Sequence, residues 1–334
     1  LINKFFSIFY LFGFLGFFVF TSQGHSKETD QYLFIGKELN DSGAAVNQYV
    51  NSGIGRVLYE INFSSAPERF SCEQVASKVF NSFRYPFVQK IESWAEESGD
   101  VDLSPSPETD WLDFFQKSIY GNNSFFKAPF WQPLSATMAV NGVSFGTDKL
   151  GHFISLGEKY YQKYLQALEE GLSEEDAFLE AIFYGIDTER GWLGKRVLKV
   201  FSRSDLEANY QGFLYRRELC RGRQPLLKFE QNWWSLRKPF KIQEHVSPLW
   251  DESFYTSYFA EGSWKRVIRS NLSRYCQPKY WDAYLERKES YESRLAGFTS
   301  LSHKILDRLV QKDILPKPTK FTLEAVCQNL GFAH

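Results

Sequence analysis

Seven residues between positions 148 and 209 have the types and spacing that acid–base chemistry needs: Asp148, Lys149, His152, Glu189, Ser202, Asp205 and Asn209. Asp148 and His152 stand four apart, so on a helix they share one face. An acid placed there would orient and charge the imidazole. The purely structural alternative is a first-turn acid that complements the helix dipole. Glu189 falls at a helix end, on the stripe that Phe178, Ile182 and Gly185 define. A carboxyl group on a buried stripe loses solvation, its pKa rises, and it suits a proton donor. The structural alternative is pairing with Arg190 or Arg196. Asp205 and Asn209 are again four apart, and Gly212 on the same face allows close approach of a helix or a ligand. Ser202 and Asp205 also fit a capping box, which is a structural role. Asn209 is a poor mid-helix choice unless its amide has a partner.

If the three helices pack on their apolar stripes, these polar groups meet in one pocket. There is no Ser-His-Asp or Cys-His arrangement, zinc motif or phosphate-binding glycine loop, so neither a metal nor a cofactor is expected. Carboxylate-based hydrolysis is the most economical chemistry. Glu189 would donate the proton and Asp205 would act as base or electrostatic partner, as glycosidases use such pairs. His152 is the third catalytic candidate. Asp148, Lys149, Ser202 and Asn209 would bind or orient substrate, with Asp148 holding His152.

The elements that must position these residues are helices. Thr147 is placed to cap a long helix to about Glu170, with the apolar stripe Leu150, Phe153, Leu156, Tyr160, Tyr164 and Leu168. Ser173 with Asp176, and Ser202 with Asp205, mark the next two helix starts. Upstream, Ser71 and Gln74 form another capping-box pattern, Pro86 restarts a helix carrying Val88, Ile91 and Trp94, and Trp111 to Ile119 has helical spacing. Gly121 to Pro133 reads as an aromatic loop with Phe125, Phe126, Phe130 and Trp131. Downstream, Phe240-Lys-Ile-Gln reads as a short strand, residues 251 to 312 as three or four short helices, and Phe321 to Asn329 as a last one. The fold class expected is mainly α: a helical core of three motif-bearing helices, with further helices and aromatic loops on either side.

The chain has 334 residues and a formal net charge of −1, which gives no global field for nucleic acid or an acidic membrane. Lys4 followed by the uncharged run Phe5 to Phe20, then Ser22 and Gly24, reads as a cleaved signal peptide over residues 1–24. The membrane would be met only through that segment if it is uncleaved. Residues 25–219 are expected to form a helical domain, and 220–334 a mainly helical C-terminal region packed on it. The four cysteines, Cys72, Cys220, Cys276 and Cys327, allow two disulfides in an exported protein, with three pairings open.

Three pieces taken together resemble the VanZ-like family and the related YfiM-like envelope proteins. They are Asp148-Lys149-x-x-His152-Phe153, Gly185-x-x-x-Glu189, and Ser202-x-x-Asp205-Leu206-x-Ala208-Asn209-x-x-Gly212. The resemblance spans residues 145–212 only. Trp192 stands where the family often has Gln, and the helices are too polar for that family's usual membrane spans. A similarity of layout, without a motif, exists to lysozymes, where a catalytic Glu also ends a helix. The family is linked to the bacterial envelope and to glycopeptide tolerance, so the resemblance implies a periplasmic or secreted setting. The function expected is an envelope protein that cleaves peptidoglycan-type glycan with a Glu general acid. The alternative is a non-catalytic envelope protein that binds a lipid-linked precursor, a glycan or an assembly partner.

Overall fold

The computed structural model describes residues 27–84, 89–122, 134–191, 199–298 and 300–331. The expected signal peptide lies outside these residues, as do Pro86, Val88, the aromatics Phe125 to Trp131, and Trp192, Gly194 and Arg196. The fold is mainly α, as the periodicity predicts. No helix among the described residues is long and apolar enough to cross a membrane.

Among the described residues, four α-helices precede the motif region: α1 (Gly43–Asn62), α2 (Cys72–Asn81), α3 (Lys90–Glu97) and α4 (Trp111–Lys117). The capping box expected at Ser71 is present, with Ser71 Oγ accepting from Gln74 N and Gln74 Oε1 accepting from Ser71 N. The motif helices follow as α5 (148–169), α6 (Glu174–Arg190) and α7 (Arg203–Arg221). A broken helical segment, α8 (261–276), leads to α9 (Pro278–Leu295), α10 (Leu301–Gln311) and α11 (Leu323–Asn329).

Strands are short and paired. β1 (Glu28–Thr29) runs parallel to β2 (Leu134–Ser135), and β3 (Thr137–Val140) forms a hairpin with β4 (Val143–Gly146). β5 (Val200–Phe201) pairs with β8 (Tyr258–Phe259), while β6 (Leu227–Glu230) and β7 (Trp233–Leu236) form a second hairpin. In the first hairpin turn, Asn141 and Gly142 have φ of 50° and 69°, the left-handed pair that a two-residue turn requires. The strand expected at Phe240–Gln243 is not one. Residues Ile242–Glu244 form a 3₁₀ turn instead. Side chains on α1 satisfy this segment's backbone: Asn51 Oδ1 accepts from Phe240 N and Asn47 Oδ1 accepts from Ile242 N.

Helix α5 packs on both α6 and α7. It is not the regular helix its stripe suggests, because His152–Leu156 is a π turn between two α segments. The expected Thr147 cap is absent; its Oγ1 donates to Glu96 Oε1 at 2.8 Å instead. Two glycines explain how closely the three helices approach. A Cβ on Gly212 would overlap the Phe153 carbonyl, so α5 and α7 cross backbone against backbone. A Cβ on Gly185 would overlap the Tyr160 hydroxyl, which seats α6 on α5. These glycines of the motif are therefore packing residues.

Two hydrophobic clusters form the core, and each draws on residues from both sides of position 219. One joins Tyr160, Ile182, Phe213, Trp264 and Leu323; the other joins Val50, Phe80, Phe153, Ala208 and Trp250. The disulfides are Cys72–Cys220 and Cys276–Cys327, which selects one of the three pairings. Three arginines in the second half of α7 are paired with acids. Arg216 Nε donates to Glu158 Oε2 at 2.5 Å, and Arg217 and Arg221 pair with Glu174 and Glu73.

Candidate functional site

The three motif helices bring all seven sequence-selected residues into one buried region. Its centre is Lys149, fully buried in the first turn of α5. Its Nζ lies 2.8 Å from Asp148 Oδ2, 2.7 Å from Asp205 Oδ1 and 2.7 Å from Glu252 Oε1. An unpaired ammonium could not be buried so deeply, and the three carboxylates hold its pKa well above the usual lysine range against the opposing effect of burial. Lys149 is therefore a fixed internal cation.

His152 bridges α5 and α7. Its Nε2 lies 3.1 Å from Asp205 Oδ2, and its Nδ1 lies 3.0 Å from Asn209 Oδ1. Asn209 Nδ2 donates toward Tyr160 Oη at 3.4 Å, which leaves the amide oxygen facing the imidazole. Both ring nitrogens thus face acceptors, the arrangement of an imidazolium. Burial alone would lower the pKa, but the Asp205 charge and hydrogen bond more than offset it and push it up to about 9. The partner of His152 is Asp205, and not Asp148 as the four-residue spacing suggests. Asp148 turns instead to Lys149 and to Thr29, whose Oγ1 donates to Asp148 Oδ1 at 2.7 Å.

Ser202 is the N-cap of α7, with Oγ accepting from Asp205 N at 3.1 Å. The reciprocal half of the capping box is not made, because the Asp205 carboxylate turns inward to Lys149 and His152. Burial opposes its ionisation, but those two cations hold its pKa well below the usual carboxylate range. Ser202 Oγ also donates to Glu252 Oε1 at 2.9 Å, and Ser202 N donates to Glu189 Oε2 at 3.4 Å.

Glu189 sits in the last turn of α6 and is 4% exposed. Among the described residues, the hydrogen bond its side chain receives is the long one from Ser202 N. Burial first, and then the neighbouring Asp205 charge, push its pKa up to about 8. The shift favours the protonated form of Glu189, opposite to the shift of Asp205. The expected alternative partner Arg190 instead donates to the Ile314 carbonyl.

Two acids of the site were not selected from the sequence. Glu252 lies in a turn after Trp250, a hundred residues from Lys149 in the chain, and no periodicity points to it. Glu28 sits in β1, next to Thr29, and is 2% exposed with Oε2 lacking any hydrogen-bond partner. Burial and the charges of Glu252, Asp205 and Glu189 raise the Glu28 pKa well above the carboxylate range. Within the site, Asp148, His152 and Asp205 also place one potential metal-ligating atom each within 4.8 Å of one another. Spacing alone did not mark them as ligands. Comparison of the chain with protein-family models, curated proteins and solved structures finds no match in any of the three.

Proposed function

We propose that this is an exported envelope protein that hydrolyses a glycosidic bond of peptidoglycan-type glycan, with Glu189 as general acid. The observation that carries the reading is the pair of unlike carboxyl environments in one buried site: Asp205 is bound by Lys149 and His152, while Glu189 receives one long hydrogen bond from Ser202 N, which pushes the two pKa values apart. Glu189 would protonate the leaving oxygen, and the carboxylate so formed would then take the proton of the water that adds to the sugar carbon. Asp205 is already bound by Lys149 and His152, so it would serve as fixed negative charge facing the positive charge that develops on the sugar, and not as the base. His152 and Asn209 would fix its position. Two disulfides support an oxidising compartment, in line with the leader read at residues 1–24. The three VanZ-like motif pieces support a bacterial envelope setting. Incubating the protein with purified cell-wall sacculi and identifying released fragments by mass spectrometry tests the reading; glycan fragments are expected from the parent and none from Glu189→Gln.

One observation favours a second reading. Every sequence-selected residue is buried and most are bonded to one another, as in a network that fixes three helices of a non-catalytic envelope protein binding a glycan, a lipid-linked precursor or a partner. Under that reading, Glu189→Gln changes nothing that sacculi report.

A further inference from the structure

The Asp148–His152–Asp205 set has a property that proton transfer does not use. It offers one imidazole nitrogen and two carboxylate oxygens within 4.8 Å of one another. A transition-metal ion takes such donors at about 2.0–2.2 Å, so the three side chains must draw in toward the ion for it to bind. The donors come from the adjoining first turns of two packed helices, which gives them a rigid support.

Two further observations point to a cation. Five acidic side chains, Glu28, Asp148, Glu189, Asp205 and Glu252, surround the single ammonium of Lys149. With Lys149 and His152 as the cationic groups, the cluster holds more carboxyl groups than cations. Independently, Glu28 Oε2 is buried without a hydrogen-bond partner, in a strand that also sends Thr29 Oγ1 to Asp148. The charges acting on it are those of Glu252, Asp205, Glu189 and Lys149, so the unsatisfied oxygen belongs to this cluster. The surroundings of His152 also suit a ligand. Asn209 Oδ1 engages Nδ1 at 3.0 Å and leaves Nε2 facing Asp205, as the outer hydrogen bond of a metal-bound imidazole does.

We propose that Asp148, His152 and Asp205 form a binding site for one divalent transition-metal ion such as Zn²⁺, with the buried Glu28 carboxyl adding negative charge around it. The ion takes the place of the proton between His152 Nε2 and Asp205 Oδ2. Each carboxylate oxygen has two lone pairs, so Lys149 keeps its bridge to Asp148, Asp205 and Glu252. An imidazole in the set favours Zn²⁺ over the hard cations Mg²⁺ and Ca²⁺.

The full chain, stripped with a chelator and dialysed, is titrated with ZnCl₂ and separately with MgCl₂ by calorimetry, and melted with and without each. The expected result is one Zn²⁺ per chain, bound at least about 100-fold more tightly than Mg²⁺, and a rise in melting temperature by mass action. His152→Gln should weaken Zn²⁺ at least about 100-fold. Because that variant also loses a buried ion pair, Glu28→Gln provides the second arm. It replaces an unpaired carboxyl, keeps the parent's melting temperature without metal, and weakens Zn²⁺ about 10-fold or more. Absence of saturable Zn²⁺ binding overturns the proposal. So does stoichiometric Zn²⁺ that neither variant weakens, or Mg²⁺ bound as tightly. Calorimetry needs no glycan, so this inference and the hydrolase reading fail separately.

Discussion

His152 is held by Asp205, across the α5–α7 contact, with Nε2 and Oδ2 3.1 Å apart. The same carboxylate reaches Lys149 at 2.7 Å, so one acid fixes two bases of a different helix. Removing that acid leaves two buried cations short of a partner. Asp205→Asn should therefore cost about 3–5 kcal/mol of stability, the usual range for breaking a buried ion pair from one side. Urea unfolding of parent and variant reads it. A loss under about 1 kcal/mol would show that the network is not holding the helices together.

Glu189→Gln should behave in the opposite way. The carboxyl is buried, its pKa is pushed up, and among the described residues its side chain receives one long hydrogen bond. An amide of the same shape replaces it at little cost, so the urea midpoint should stay within about 0.5 kcal/mol of the parent or rise. A large loss would mean that Glu189 is ionised and paired in the native state.

Gly212→Ala should be among the most disruptive small substitutions in the chain. The added methyl group overlaps the Phe153 carbonyl, and both sides of the contact are backbone. A destabilisation of about 3 kcal/mol or more is expected, at the upper end for overpacking, with α5 and α7 forced apart. The check is the melting temperature against a control such as Gly55→Ala, where a Cβ meets open space.

His245 adds a pH dependence. Its ring stacks on Phe240 at 5.5 Å and touches Phe153 and Tyr215, and burial lowers its pKa from 6.5 to about 4, with Glu244 opposing and Lys238 adding to the shift. Between these two values the unfolded chain binds the extra proton and the native chain does not. Stability from this group is therefore complete above about pH 6.5 and lost as pH falls toward 4, by at most about 3 kcal/mol. Comparing the parent with His245→Phe from pH 7 to 4 isolates it. Equal slopes for both proteins would contradict the assignment.

The disulfides should differ in weight. Cys72–Cys220 closes a sequence separation of 148 and Cys276–Cys327 one of 51. Chain-entropy reasoning assigns them roughly 5 and 4 kcal/mol, so in urea unfolding the Cys72→Ser/Cys220→Ser variant should be less stable than the Cys276→Ser/Cys327→Ser variant by about 1 kcal/mol.

What was legible in the sequence follows from how local each signal is. The caps at Ser71, Ser173 and Ser202 were readable because the cap and its N3 partner are three residues apart. The burial of Glu189 was readable because the α6 stripe continues to it. The need of Asn209 for a partner was readable from its helix position, although the partner itself was not. The β3–β4 hairpin escaped because Thr137, Met138, Ala139 and Val140 are all buried, which erases the alternation that marks a strand. Its Asn141-Gly142 turn was the available signal. The Phe240 segment was misread because its backbone is satisfied by α1 side chains almost two hundred residues away. Glu28 and Glu252 were invisible for the same reason: only the tertiary fold brings them to Lys149. The Asp148–His152 pairing failed because spacing places residues on a face but does not choose between two acids that both reach it.

Under the proposed function, Glu189 donates a proton to a glycan leaving group. The direct test is the release of soluble glycan fragments from purified sacculi, followed from pH 5 to 9 in metal-free buffer, by the parent and by Glu189→Gln. The account predicts activity in the parent that falls as pH rises through about 8, where Glu189 loses its proton, and a loss of at least about 100-fold in the variant with folding intact. Digestion by Glu189→Gln at the parent's rate, or a parent rate that keeps rising beyond pH 8, would contradict it.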